Sequence, residues 1–128
     1  MKVGIIIGIY NNESHVAETI ASVKNQTLND WTCIIIDNGS SDASSEIAQS
    51  EIAADNRFRF IQKQNEGPSV CRNLGFAELQ DQSDYIHFLD GDDVLKVKFL
   101  EVLCKYLDET PKAGIAACQF DIIDEASN

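Results

Sequence analysis

Apolar residues fall along this chain in short continuous runs, each closed by a polar break, with helix-spaced apolar positions between them. Val3-Gly4-Ile5-Ile6-Ile7-Gly8-Ile9 is the first run. A strand covered on one face alternates apolar and polar positions; an unbroken β-branched run reads as a strand covered on both, as in a parallel sheet. Tyr10-Asn11-Asn12 ends it. Val16, Ile20 and Val23 follow at i, i+4, i+7, the spacing of one helix face, with Asn12 or Ser14 placed to cap. Trp31-Thr32-Cys33-Ile34-Ile35-Ile36 is a second buried strand, ended by Asp37-Asn38-Gly39-Ser40-Ser41-Asp42. The Asn-Gly pair marks a turn, and Ser41 or Asp42 is the expected cap of a helix over about 43–54 with a weak stripe at Ile47 and Ala48. Phe58-Arg59-Phe60-Ile61 is a shorter third strand. Gly67-Pro68 puts a proline where helices favour one, and Val70, Leu74 and Ala77 form the next stripe. Tyr85-Ile86-His87-Phe88-Leu89 is a fourth strand running directly into Asp90-Gly91-Asp92-Asp93. Val97, Leu100, Leu103 and Leu107 mark a further helix, closed by Pro111 and Gly114, and Ile115 to Ile123 reads as a last strand.

The predicted order is βαβαβαβαβ. Strands and helices alternating at this length imply right-handed crossovers and an α/β fold with a mainly parallel sheet and alternating helices. The 128 residues suffice for one domain with one core, and no repeat, low-complexity tract or linker divides them. In such sheets ligands bind beyond the carboxyl ends of the strands. There this sequence places Tyr10-Asn11, Asp37-Asn38 and Asp90 to Asp93.

Charge narrows the partners. Ten basic and twenty-one acidic residues leave a net charge of −11, which repels nucleic-acid backbones and anionic headgroups. A small anionic ligand needs a local cation to offset that field. Cys33, Cys71, Cys104 and Cys118 are scattered, without the spacing of a zinc site, and Cys33 and Cys118 lie in apolar runs that suit buried free thiols. No signal peptide or spanning stretch is legible, so the expected location is cytoplasmic, at the inner face of a membrane if a longer parent chain carries an anchor.

The strand exits hold the candidate chemistry. Three carboxylates within four residues repel unless a divalent ion such as Mn²⁺ or Mg²⁺ holds them, and such hard cations take carboxylate and phosphate oxygens together. Gly91 between Asp90 and Asp92 lets the backbone approach a ligand closely. The alternative is a solvated loop with Asp92 or Asp93 capping the next helix. Asp37 either accepts a hydrogen bond from a ligand or braces the Asn38-Gly39 turn. Tyr10 stacks on a base or sits on the rim, and Asn11 holds its loop or a ligand. Arg72 contacts a diphosphate or forms a surface ion pair. His15 and His87 have no third ligand near in sequence and read as structural.

Four blocks in order, residues 5–27, IIIDNGSSD (34–42), NEGPSVCRNLGFA (65–77) and YIHFLDGDD (85–93), resemble the family 2 glycosyltransferases of GT-A fold. The first block carries Tyr-Asn after its strand and Ser-Val-x-x-Gln-Thr at 22–27; the fourth carries Asp90-Gly91-Asp92 as a DXD signature. The resemblance spans nearly the whole chain and implies a Rossmann-like nucleotide-sugar-binding half. It places Ile9 and Tyr10 at the nucleotide pocket, Asp37 and Asn38 at the base and ribose, and Arg72 near the base or diphosphate. Asp90 falls at the ribose and metal, and Asp92 on Mn²⁺ or Mg²⁺. It further implies a UDP-sugar donor, a glycan or lipid-linked acceptor, and inverting transfer assisted by a carboxylate base.

Two departures from the family pattern stand out, of which the first matters little because backbone contacts remain available and only the second bears on specificity. Ile9 stands where the family often has proline, and Asn38 where many members have a second Asp; an amide can donate as well as accept, which opens the choice of base. The family's catalytic carboxylate lies beyond the last segment read here, so residues 1–128 are expected to be a truncated donor-binding domain, inactive alone, with the base beyond Asn128. Two other classes share this pattern of elements. An acidic signalling receiver needs acidic residues after strand one and a later Lys-Pro, both lacking here; a non-catalytic module of the same fold remains the other.

Overall fold

The computed structural model describes residues 2–124. Its core is a four-stranded, wholly parallel sheet in the order β3-β2-β1-β4, with β1 Val3–Ile9, β2 Trp31–Asp37, β3 Phe58–Gln62 and β4 Tyr85–Asp90. The helices are α1 Val16–Lys24, α2 Ser44–Ile52, α3 Pro68–Leu79 and α4 Phe99–Glu109, with a 3₁₀ turn at Gln80–Gln82. The first four of the five sequence-predicted strands form, and β2, β3 and β4 each run one residue further than expected, to Asp37, Gln62 and Asp90.

The two faces of β1, one apolar throughout and the other carrying Gly4 and Gly8 around Ile6, explain the layering. Ile5, Ile7 and Ile9 point with Cys33, Ile35 and Leu89 into the larger cluster, under α1, α2 and α4. Ile6 points with Ile34 and Ile36 to the other face, against Cys71 and Leu79 of α3. Full burial of such a side chain contributes ~1.5–3 kcal/mol, so the central strand holds both layers. The chain steps outward from β1 to β2 to β3, then returns past β1 to β4. Right-handed crossovers running in opposite directions must use opposite faces, which is why α3 alone lies across the sheet from α1 and α2. That reversal opens a crevice at the exits of β1 and β4.

Several local expectations are corrected. The apolar segment Ile115 to Ile123 forms no strand; Ile115, Phe120 and Ile122 are 84–90% exposed, with no neighbouring strand to complete the ladder. Neither Asn12 nor Ser14 caps α1 with its side chain: the Asn12 carbonyl accepts the His15 and Val16 amides, while its side chain turns back to Tyr10. The residue preceding α2 is Ala43, although Asp42 Oδ1 still accepts the Ser44 amide. The buried face of α3 is Cys71, Gly75 and Leu79, while Val70 and Ala77 are exposed and Leu74 half-buried. Val97 is exposed and precedes α4, whose buried residues are Leu100 and Cys104. Cys118 is exposed, whereas Cys33, Cys71 and Cys104 are buried thiols.

Thr19, Ser22 and Gln26, on or just past α1, are also buried, at 0, 7 and 3% exposure. The helix therefore buries a polar stripe beside its apolar one.

Candidate functional site

The crevice is a cavity of about 290 Å³ whose lining includes Ile9 and Tyr10 from the β1 exit, Asn38 from the β2 exit, Arg72 on α3, and Asp90, Gly91 and Asp92 after β4. Six residues singled out from sequence thus meet: Ile9, Tyr10, Asn38, Arg72, Asp90 and Asp92. Asp37 does not reach the lining. It is fully buried below Asn38 and accepts hydrogen bonds from the Ser40 amide (3.1 Å) and hydroxyl (2.5 Å) on Oδ1 and from Gln62 Nε2 (3.4 Å) on Oδ2. Tyr10 stands at the rim, 48% exposed.

The exit loops are stitched to one another. Asn11 adopts φ 51°, a left-handed conformation that Asn tolerates better than most residues. Its amide donates to Ser40 Oγ (3.0 Å) and its Oδ1 accepts the Ser41 amide (2.9 Å), so the first two loops are tied to each other. The Asn38 amide donates to Ile9 O (2.9 Å); its side chain accepts from the Glu66 amide (3.1 Å) and donates to Asn65 Oδ1 (3.3 Å). Asn38 therefore ties the loop before α3 to the sheet. Asn12, Cys71 and Phe88 also line the cavity without having been read as site residues. The polar break after β1 was the only signal for Asn12; Cys71 and Phe88 looked like ordinary apolar positions.

The acidic loop is a tight turn. The Gly91 amide donates to Gly8 O (3.1 Å), and a β-carbon at Gly91 would lie 2.7 Å from Asn12 Oδ1 and 2.8 Å from Ile9 Cγ2, so only glycine fits. Asp90, Asp92 and Asp93 each bring one carboxylate oxygen within 4.8 Å of the others. Partial burial, then the charges of Asp92 and Asp90, hold the Asp93 carboxyl above the usual carboxylate range. Three hard oxygen donors at mutual repulsion are the donor set that Mg²⁺ or Mn²⁺ accepts. The loop does not cap a helix, since α4 begins only at Phe99. Arg72 Nη2 approaches Asp90 Oδ1 at 3.4 Å, both side chains exposed, placing one cation beside the acidic cluster at the mouth.

The model of the family "Glycosyl transferase family 2" matches residues 4–128. The chain belongs to glycosyl transferase family 2. Among the relatives of this family 2 chain is the minor teichoic acid biosynthesis protein GgaA of Bacillus subtilis (strain 168). It is 34% identical over 116 residues, 88% of this chain and 26% of GgaA. The fold is similar to that of S. aureus TarS 1-349 in complex with UDP-GlcNAc (TM-score 0.78, 21% identity, 93% of this chain and 37% of that one). It is also similar to mannosyltransferase PcManGT from Pyrobaculum calidifontis in complex with GDP-Man and Mn²⁺ (TM-score 0.74, 14% identity, 82% and 32%). The all-parallel sheet with alternating helices is thus the GT-A, Rossmann-like arrangement. The family 2 chain spans well under half the length of the curated relatives it matches.

Proposed function

We propose that the crevice binds the nucleoside diphosphate of an activated sugar, UDP-linked by preference, and that Asp90 and Asp92 hold the Mn²⁺ or Mg²⁺ that grips it. The observation that carries this reading is the convergence of Tyr10, Asn38, Arg72, Asp90 and Asp92 on one cavity at the sheet's reversal point. Tyr10 offers a ring face to the base at the open rim, and Asn38, anchored by the loop before α3, presents the β2 exit to base and ribose. Asp37 acts from beneath by fixing that turn. Arg72 supplies positive charge to the diphosphate when released from Asp90. When bound, the divalent ion stabilises the negative charge of the leaving diphosphate. The TarS and PcManGT complexes, with UDP-GlcNAc and with GDP-Man and Mn²⁺, support donor class and metal.

The transfer is read as inverting, to a hydroxyl of a glycan or lipid-linked acceptor in the making of a surface polymer, a reading GgaA's name supports. Work at the cytoplasmic side of a membrane fits these donors. Among the described residues no helix is long and apolar enough to cross a membrane.

Calorimetric titration of UDP with and without Mn²⁺ tests the reading. Binding is expected to need Mn²⁺ and to be lost in Asp92→Ala with the unfolding midpoint little changed. Unaltered affinity in that variant refutes the ligand assignment.

A further inference from the structure

Between the end of β4 at Asp90 and the start of α4 at Phe99 the backbone forms neither helix nor strand, yet Gly91 and Leu95 are buried. Buried peptide groups need partners. Here they come from α1 and the residues just past its end. Thr19 Oγ1 donates to Gly91 O (3.1 Å), its single proton shared with His15 O on its own helix (3.3 Å). Ser22 Oγ accepts the Leu95 amide (3.1 Å) while donating to Thr19 O (2.7 Å). Gln26 Nε2 donates to Lys96 O (2.8 Å) and to Ser22 O (3.1 Å), and its Oε1 accepts the Leu100 amide (3.0 Å). That last bond satisfies a first-turn amide of α4, a helix with no side-chain cap of its own. The Thr27 amide closes the series on Val97 O (2.9 Å).

We infer that Thr19, Ser22 and Gln26 are positioning residues: a buried hydrogen-bonded clamp through which α1 fixes the acidic loop, and with it the carboxylates of Asp90 and Asp92. The inference gives a task to the Ser-Val-x-x-Gln-Thr stretch, which touches no part of the cavity, and for its consequence on metal affinity it rests on the donor-site reading. Thr19 grips the loop at Gly91, between those two carboxylates. Ser22 and Gln26 hold it four to nine residues further on, so the acidic turn is pinned against β1 on one side and α1 on the other. Outer partners of this kind, which orient a ligating group without touching the ion, typically alter metal affinity about 10–100-fold when removed.

Amide hydrogen exchange and calorimetry on the same variants test this. The Asp93 amide closes the acidic turn on Asp90 O, so its exchange rate reports the clamp without any ligand. In Thr19→Val, which keeps shape and removes the hydroxyl, exchange at Asp93 and Leu95 is expected to quicken about tenfold, and Mn²⁺-dependent UDP affinity to fall about tenfold. Thr19→Ser restores both. Ser22→Ala is the second variant should Thr19→Val fold poorly, with the same expectation. Ala48→Gly, on the buried face of α2, controls for general loss of stability and leaves both readouts near wild type. Wild-type exchange in Thr19→Val and Ser22→Ala, or equal changes in Ala48→Gly, overturns the clamp. A wild-type chain that ignores Mn²⁺ and UDP while its exchange still responds to Thr19 removes the donor-site reading and leaves the clamp standing.

Discussion

His87 shows what one buried ring does to this protein. It lies on β4 with its ring 4.8 Å from that of Phe99, and its Nε2 is buried without a hydrogen-bond partner. Burial holds its pKa below the ordinary 6.5, so the fold keeps it neutral. The unfolded chain takes up a proton as pH drops through that value while the folded chain does not. Stability is therefore complete above the ordinary value and declines as pH falls, until the folded ring also protonates. His87→Phe keeps the ring contact and removes the orphaned nitrogen. It is expected to gain about 1 kcal/mol at pH 7 and to lose less than wild type when thermal unfolding is followed from pH 7.5 to 5.5. Parallel pH profiles for the two would clear the imidazole of this role. Asn38 carries a different prediction. An Asp there cannot donate to Asn65 Oδ1, so Asn38→Asp loosens the loop before α3 and changes the ranking of UDP, dTDP and GDP in competitive titration; an unchanged ranking counts against Asn38 as a base-selecting residue.

At the scale of elements, the strands were legible because uninterrupted β-branched runs have few other uses, and β1 is read to the residue. Helix faces were harder. In α3 the large side chains suggested a stripe through Val70 and Leu74, yet the contact centres on Gly75, where missing bulk is the packing feature. A β-carbon there would meet Ile6 Cγ2 at 2.5 Å. Gly75→Ala, which gains about 1 kcal/mol in an open helix, is thus expected to lower the unfolding free energy by a net ~1–3 kcal/mol, read as a lower denaturant midpoint. A raised midpoint would mean that α3 can ride off the sheet. The polar stripe of α1 escaped the sequence for the converse reason: Thr, Ser and Gln at helical spacing look like a solvated face, and only the neighbouring irregular backbone makes them an inside one. The apolar run from Ile115 misled because apolar residues suggest a strand but only an adjacent strand makes one. The cavity residues were found by another route: the polar breaks at strand exits are local in sequence, and the parallel topology alone brings them together.

For the whole molecule, charge sets the terms of ligand approach. A chain of net charge −11 repels a nucleoside diphosphate at long range, and salt screens that repulsion beyond a Debye length. Without divalent ions, the weak residual affinity for UDP is expected to rise as monovalent salt goes from about 0.01 to about 0.15 M, the range over which the Debye length shrinks from ~30 to ~8 Å. With Mn²⁺ present the dependence flattens. Affinity that falls with salt in both cases would put Arg72, rather than the overall field, in control of approach.

The inward-facing hydroxyls and amide of α1 carry a warning for anyone who evolves this protein in the laboratory. Rounds of selection scored on heat resistance alone reward greasier side chains in buried places, and Thr19 and Ser22 are places where a valine or an alanine fits. Such a lineage would accumulate hardiness while its grip on the acidic turn slackened. Screening for ligand capture at every round keeps both.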